Sequence, residues 1–386
     1  MSKLEKVVFA TIFDPNDIQR GSGTYFYMSH EIERQGYEVQ YIGPIDIVNP
    51  KISHALQSFH YRTGKRYKTF LDPFIARSRG KSVTQLLEDH DYQVLITNDF
   101  GIAGYSHTKK PIILYTDAMI PFSYPEGVAR DSRIANLSSL GVGLFKHTIK
   151  RGLKNSTLCV FPEHGLAEEA AKYLPHINKI KVIPFGANIE DPGNNVAKCR
   201  RFSKIQERGV INFLFVGKDW QRKGGDIAIN TVNELHKRGI KSKLQIIGAT
   251  YPKAIDQDCV KSYGLLNKSS QEDLDLLHKI YIESDIFILP SKSEGFVIAV
   301  LEAAAYGLPT LAYDIPGVNK GVINGRTGIL LHPRNTEQDF AEVVCGWFDH
   351  PEEYNQMVTQ ARNHFNNTTN WKESISKLFQ EISRYT

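Results

Sequence analysis

Short, continuous apolar runs punctuated by polar, glycine-containing segments recur along the chain, and between them apolar residues return every three to four positions. The runs VLIT (Val94–Thr97), IILYT (Ile112–Thr116) and LCVF (Leu158–Phe161) do not alternate with polar residues. A strand with one wet face alternates, whereas an unbroken apolar run is a strand covered on both faces, as in a parallel sheet between helices. The start of the chain fits the same series. Val7–Ile12 predicts a strand, the polar segment DPNDIQRGSGT a loop, the next stretch a helix stopping near Gly36, and Glu38–Ile42 a second strand.

A polar segment from Glu190 to Gly209 has the composition of a linker. Beyond it the pattern restarts with NFLFVG (Asn212–Gly217), KLQIIG (Lys243–Gly248), DIFILP (Asp285–Pro290), PTLAYD (Pro309–Asp314) and GILL (Gly328–Leu331). Helical stretches such as Asp226–Arg238 lie between them. Strand and helix in alternation predict two doubly wound, Rossmann-like α/β domains in tandem. With 386 residues the chain is also longer than one core usually organises. The expected division is 1–189, a linker 190–209, a second domain 210–367, and a final helix in 368–386 returning to the first domain. Open parallel sheets bind ligands beyond the carboxyl ends of their strands. A central cleft faced by both domains is therefore the expected site, and the residues just after strands are the ones to inspect.

Composition narrows the partners. Apolar residues make up 41% and charged residues 23%, ordinary for a globular protein, and the net charge of +5 favours phosphate-bearing molecules or an anionic surface. The four cysteines, Cys159, Cys199, Cys259 and Cys345, form no C-x-x-C pair and are expected to be reduced thiols. The apolar run in MSKLEKVVFATIF is too short for a signal peptide, and no stretch reaches the ~20 apolar residues of a membrane span. The expectation is a cytoplasmic protein that meets a membrane, if at all, peripherally on its inner face.

The segment after DIFILP reads SKSEGFVIAVLEAAAYGLPTLA. Glu294 stands at the strand-to-helix turn and Glu302 eight residues on, inside the helix. Eight helical residues span ~12 Å, about the reach from a sugar across a diphosphate to a ribose. A helix start near Gly295 and Phe296 would offer backbone N–H groups to a phosphate, and a carboxylate such as Glu302 can accept from both hydroxyls of a ribose. With its Pro290, Ser-x-Ser and Gly-Leu-Pro setting, this segment resembles glycosyltransferase family 4, a retaining GT-B family with an E-x7-E motif of the same spacing. The resemblance implies that Glu294 contacts the donor sugar and Glu302 the ribose. This chain has Val297 where the family usually has glycine.

FVGKDWQRKGGD, from Phe215 to Asp226, crowds Lys218, Arg222 and Lys223 into one loop before a helix. Cations beside a glycine turn at a helix start suit a diphosphate. The segment resembles the Arg-then-Lys-Gly motif of the same family, whose two cations stabilise the leaving diphosphate. Lys223 matches the lysine; Lys218 occupies the arginine's position, and Arg222 is the alternative source of a guanidinium fork.

In the first domain, Gly21-Ser22-Gly23 follows the first strand. A dinucleotide fingerprint would need a small residue at position 26, where Phe26 stands. The loop instead resembles the glycine-rich loop with which family 4 approaches the donor diphosphate. Asp117, directly after the strand IILYT, is either a helix cap or, where the family has histidine or aspartate, a group that holds a donor-sugar hydroxyl. VIPFGAN (Val182–Asn188) resembles the stretch before the family's interdomain linker.

No metal or other cofactor is expected. Asp273-Leu274-Asp275 has the form of a metal-binding D-x-D but lies in a helical pattern, QEDLDLLHKIY, and the histidines form no H-x-x-x-H cluster. The stretch His60–Lys81 interleaves Arg62, Lys65, Arg66, Lys68, Arg77, Arg79 and Lys81 with Tyr61, Tyr67, Phe70 and Phe74. That composition suits either a solvated loop or peripheral contact with anionic lipid head groups. Nothing accompanies it that would mark a nucleic-acid binder. The resemblance implies transfer of a sugar from a nucleotide diphosphate sugar to an acceptor hydroxyl, with retention, in the synthesis of a cell-surface polysaccharide or glycolipid. A GT-B epimerase or hydrolase and a non-catalytic nucleotide-sugar binder are the alternatives.

Overall fold

The computed structural model describes residues 4–45, 51–62, 64, 65, 67, 69, 72–119, 137–174, 178–249 and 259–385. The chain divides into two compact units, one made of Met1–Phe185 with Trp371–Thr386 and the other of Gly186–Asn370.

The first unit contains β1 (Lys6–Ala10), β2 (Glu38–Ile42), β3 (Val94–Thr97), β4 (Ile112–Tyr115), β5 (Leu158–Phe161) and β6 (Ile180–Val182). They form one parallel sheet in the order β2-β1-β3-β4-β5-β6. Every residue of β3, β4 and β5 is buried, which is why their sequences carry no polar alternation. Its helices are α1 (Thr24–Arg34), α2 (Lys51–Arg62), α3 (Pro73–Leu87), α4 (Phe100–Tyr105), α5 (Ser139–Asn155) and α6 (His164–Ala171). Strand order reverses between β1 and β3, and the ends of those strands define where a ligand crevice belongs.

The second unit opens with α7 (Asn194–Lys198) and α8 (Phe202–Arg208). Its sheet contains β7 (Ile211–Val216), β8 (Ser242–Ile247), β9 (Val260–Ser262), β10 (Ile286–Leu289), β11 (Thr310–Tyr313) and β12 (Gly328–Leu331). The order is β12-β11-β10-β7-β8-β9, again parallel, with the reversal between β7 and β10. Around it stand α9 (Trp220–Lys223), α10 (Gly225–Lys237), α11 (Gln271–Glu283), α12 (Ile298–Ala305), α13 (Glu337–Asp349) and α14 (Pro351–Asn367). The last helix, α15 (Trp371–Ile382), belongs to the first unit. There Phe379 stacks on Tyr37 at 3.8 Å, Trp371 packs 5.4 Å from Phe185, and Gln35 donates to the Lys372 carbonyl.

Three details differ from the sequence reading. The stretch 190–209 is not an open linker: α7 and α8 occupy most of it, and Phe202 and Ile205 are buried in the second core. Two edge strands, β6 and β9, escaped the pattern. The helix after β10 starts at Ile298 and not at Gly295, because Val297 is still extended at φ −101° and ψ 93°. No described helix is long and apolar enough to cross a membrane.

Candidate functional site

The reversal point of the second sheet is built from the segments that leave β7 and β10. They are sutured by Gly224, whose φ of +77° and closeness to Pro290 leave no room for a side chain: a Cβ there would stand 2.0 Å from the Pro290 carbonyl oxygen. The Lys292 amide donates to the Arg222 carbonyl at 2.9 Å, and the Arg222 guanidinium donates to the Ser293 carbonyl at 2.7 Å. Asp219 caps α9 by accepting from the Arg222 amide, and its other oxygen takes the Arg222 Nε. Gly217, directly after β7, runs so closely under Lys223 that a Cβ would lie 2.9 Å from that lysine's Cγ.

These contacts bring three of the expected groups together. Oε1 of Glu294 lies 2.8 Å from Lys223 Nζ and 3.0 Å from an Arg222 nitrogen, and it accepts from the Ser291 hydroxyl at 2.8 Å. The Glu294 side chain is 7% exposed, Lys223 12% and Arg222 35%, so the cluster is shielded on the carboxylate side and open at the guanidinium. Lys218 is not part of it: its side chain is exposed. Arg222, four residues further along, is the guanidinium that contacts Glu294. Gly295 lies under Gly317, which has φ +87° and whose Cβ would fall 2.3 Å from the Gly295 carbonyl. Phe296 packs against the core of this unit.

Glu302 sits within α12 with its own partners. Oε1 accepts from Lys268 Nζ at 2.7 Å and Oε2 from the Tyr281 hydroxyl at 3.0 Å. Lys268 also donates to the Asn188 carbonyl at 2.6 Å. Burial, reinforced by the Glu302 charge, pushes the Tyr281 phenol well above its ordinary range, so it stays a donor. Tyr281 stacks on Tyr306 at 4.8 Å, and Tyr306 hydrogen-bonds His278. Sequence reasoning missed Lys268 and Tyr281. Both lie on other elements, and no local spacing ties them to Glu302.

At the reversal point of the first sheet, Gly21, Ser22 and Gly23 have φ of 56°, 58° and 89°, a left-handed turn. Ser22 is the only described non-glycine residue with positive φ. Tyr25, one turn on, lies against Gly21, where a Cβ would come 2.6 Å from its ring. Its phenol is pushed up by burial and by the Asp117 charge, with Asn98 opposing as a hydrogen-bond partner. Tyr25 thus ties the glycine turn to the segments after β3 and β4. Asp117 stands two residues beyond β4, half-buried in irregular backbone that runs to Met119.

Asp273 and Asp275 are helix-surface residues of α11: Asp273 accepts from the Asn267 amide and Asp275 from Gln271. No group of three His, Cys, Asp or Glu among the described residues could hold a metal ion. The stretch His60–Lys81 is not one surface. Tyr61, Arg62, Lys65, Phe74, Arg77 and Lys81 are exposed, but Tyr67 is buried beneath His60 and Arg79 is buried against Asp99. Arg66, Lys68 and Phe70 lie outside the described residues.

Residues 200–364 match the profile of the family described as glycosyl transferases group 1. The D-inositol 3-phosphate glycosyltransferase of Rhodococcus jostii is 26% identical over 222 residues, which are 54% of this chain and 48% of that protein. The chain thus spans about half the length of the curated relatives it matches. Two solved structures are similar over nearly the whole chain. Anabaena HepE, in complex with UDP-glucose, has a TM-score of 0.60 at 13% identity, with 98% of this chain and 99% of that one covered. Sucrose-phosphate synthase of Thermosynechococcus elongatus has a TM-score of 0.66 at 14% identity, with 99% and 100% covered. The chain has the GT-B fold, two Rossmann-like α/β domains.

Proposed function

We propose that the chain is a retaining glycosyltransferase that moves a sugar from a nucleoside diphosphate sugar to an acceptor hydroxyl, in the making of a cell-surface polysaccharide or glycolipid. The observation that carries the reading is the meeting of Glu294 with Arg222 and Lys223 where the second sheet reverses. A shielded carboxylate that can hold sugar hydroxyls beside two cations suits the junction of a sugar and a diphosphate. The group 1 match, which covers these residues, supports it further.

In this reading the acceptor oxygen attacks the anomeric carbon on the face from which the diphosphate departs. The glycosidic C–O bond to phosphate breaks, the new C–O bond forms on the same side, and the acceptor's proton passes to the leaving phosphate oxygen. Arg222 and Lys223 stabilise the negative charge that grows there, with Lys218 as a further cation nearby in sequence. Cationic side chains take the role a metal would otherwise fill, so no metal is required. Glu302 holds the ribose through the lone pairs that Lys268 and Tyr281 leave unused. Gly21, Ser22 and Gly23 give a turn compact enough for close approach to a phosphate, and Asp117 holds a sugar hydroxyl.

The test is thermal unfolding of the purified chain with UDP, GDP, ADP or NAD, each with EDTA. A ligand that binds only the folded state raises Tm. One nucleoside diphosphate is expected to raise it, and Glu302→Ala to abolish the shift. Stabilisation by NAD alone, or by none of the four at millimolar concentration, would overturn the reading. Consumption of the sugar nucleotide at an undiminished rate without any acceptor would point to an epimerase or hydrolase instead.

A further inference from the structure

A cavity of about 900 Å³ lies on the first unit between α3 and α5, over the end of α4. Glycines bring these three helices together. A Cβ on Gly80 of α3 would meet the Tyr105 backbone at 2.4 Å, and one on Gly152 of α5 would meet the Phe100 carbonyl at 2.7 Å. The short α4 is thereby sunk between its neighbours, and Tyr105 at its end forms the floor of a trough.

The walls are charged with one sign. Arg77 and Lys81 are one helical turn apart on α3, and Arg151 stands on α5 one turn from the imidazole of His147. No aspartate or glutamate is among the described residues that line the cavity. Asp72, the buried carboxylate just before α3, is already engaged: it caps α3 by accepting from the Phe74 and Ile75 amides and takes the Tyr67 hydroxyl. Arg151 is fixed in place, its Nε donating to the Gly104 carbonyl at 2.9 Å and its guanidinium lying 4.5 Å over the Tyr105 ring. Burial pushes the Tyr105 phenol up, the Arg151 and Arg77 charges oppose that rise and the Asp72 charge adds to it, so both guanidinium groups act at the trough floor.

We propose that this trough is a binding site for a phosphate group carried on a molecule with an apolar or ring-shaped portion. The fixed guanidinium and the cations of α3 converge on one anion, while Phe74 and Leu144 offer the apolar wall. A concave pocket of this size takes a discrete ligand and not a flat surface. The site belongs to the first unit, and nothing in its chemistry depends on sugar transfer.

The experiment is titration of the full chain with inorganic phosphate and with glycerol 3-phosphate, followed by calorimetry. It compares the unaltered protein with R77Q/K81Q and with R222Q/K223Q. Arg77 and Lys81 are exposed, so their double substitution leaves the fold intact, which an unchanged Tm verifies. Affinity is expected to fall about tenfold or more in R77Q/K81Q, the loss of one or two charge-assisted bonds, and to persist in R222Q/K223Q. Equal affinity in R77Q/K81Q and the unaltered protein, or no binding at millimolar concentration, would overturn the proposal. Vesicles of phosphatidylcholine and phosphatidylglycerol identify the source. Sedimentation with them that R77Q/K81Q abolishes assigns a lipid head group; binding of glycerol 3-phosphate without sedimentation assigns a soluble phosphate ester. Loss of phosphate binding only in R222Q/K223Q would sink this site while leaving the donor-site reading standing.

Discussion

Lys223 Nζ lies 2.8 Å from Oε1 of Glu294, although the two residues leave different strands of the second sheet. The same oxygen is shared with Arg222. The two cations that suit a diphosphate are thus held by one carboxylate, which positions them and partly neutralises them.

Glu294→Gln separates those two effects. Removing the negative charge leaves Arg222 and Lys223 freer to hold phosphate, so the Kd for the nucleoside diphosphate alone is expected to tighten or stay level. Turnover of the sugar nucleotide is expected to drop about 10- to 100-fold, the worth of one charge-assisted bond to the sugar. Calorimetry beside a transfer assay reads both numbers. A parallel loss of binding and turnover would assign Glu294 to holding the cations alone.

Lys268→Met takes from Glu302, buried within α12, the ammonium at its Oε1 and leaves it the Tyr281 hydroxyl. A loss of about 1–3 kcal/mol in unfolding free energy is expected, the cost of a partly buried carboxylate deprived of one bond. Adding Glu302→Gln should recover part of it, and urea unfolding of the two single variants and the double completes the cycle. Strict additivity would mean the pair does not act together.

Gly224→Ala and Gly239→Ala distinguish backbone strain from steric collision. Both glycines have positive φ, +77° and +80°, but a Cβ at Gly239 meets nothing within 4 Å whereas at Gly224 it strikes Pro290. Gly239→Ala should cost about 1 kcal/mol and Gly224→Ala at least about 2 kcal/mol more, because the segments from β7 and β10 would have to part. Denaturant midpoints compare them, and nucleotide binding should survive only in the Gly239 variant.

Burial lowers the affinity of His278 and His364 for protons, Lys268 adding to the effect on His278 and Arg326 to that on His364. Asp275 and Glu190 oppose it at His278. Both imidazoles bind a proton more readily unfolded, so their contribution is fully present above the ordinary value of 6.5 and is lost as pH falls through the folded values. Urea midpoints should decline between pH 7.5 and pH 5, a window set by that ordinary histidine value. His364→Gln should flatten the decline, and an unchanged slope would contradict the assignment.

Thiol chemistry should follow exposure. Cys199 is exposed, while Cys159 is buried in β5 and its thiol is pushed up to about 11. A disulfide reagent at pH 8 (about half a unit below a free thiol's pKa) should label Cys199 first and Cys159 only on unfolding.

How much could be read beforehand depended on whether the signal was local. VLIT, IILYT and LCVF announced β3, β4 and β5 because covering both faces removes every polar residue. Ile180–Val182 and Val260–Ser262 gave no such signal: each is three residues at a sheet edge, with lysine in the middle. The segment 190–209 read as polar because α7 and α8 bury only Ala197, Phe202 and Ile205, too few to set a period. In the candidate site, Glu294, Glu302, Arg222 and Lys223 were legible as short motifs after strands. The contact of Arg222 with Glu294 needed the course of α9, and Lys268 needed the approach of a loop 34 positions away from Glu302.

The return of α15 to the first unit, where it packs against α1, has a consequence for how the molecule is made. The second unit, Gly186–Asn370, is interposed within the sequence of the first, so on the ribosome it is complete before Trp371 emerges. Until then Phe185 and Tyr37 have no aromatic cover from Trp371 and Phe379, and the first unit waits unfinished with its sheet already translated. The half of the protein that begins synthesis is thereby the last to close.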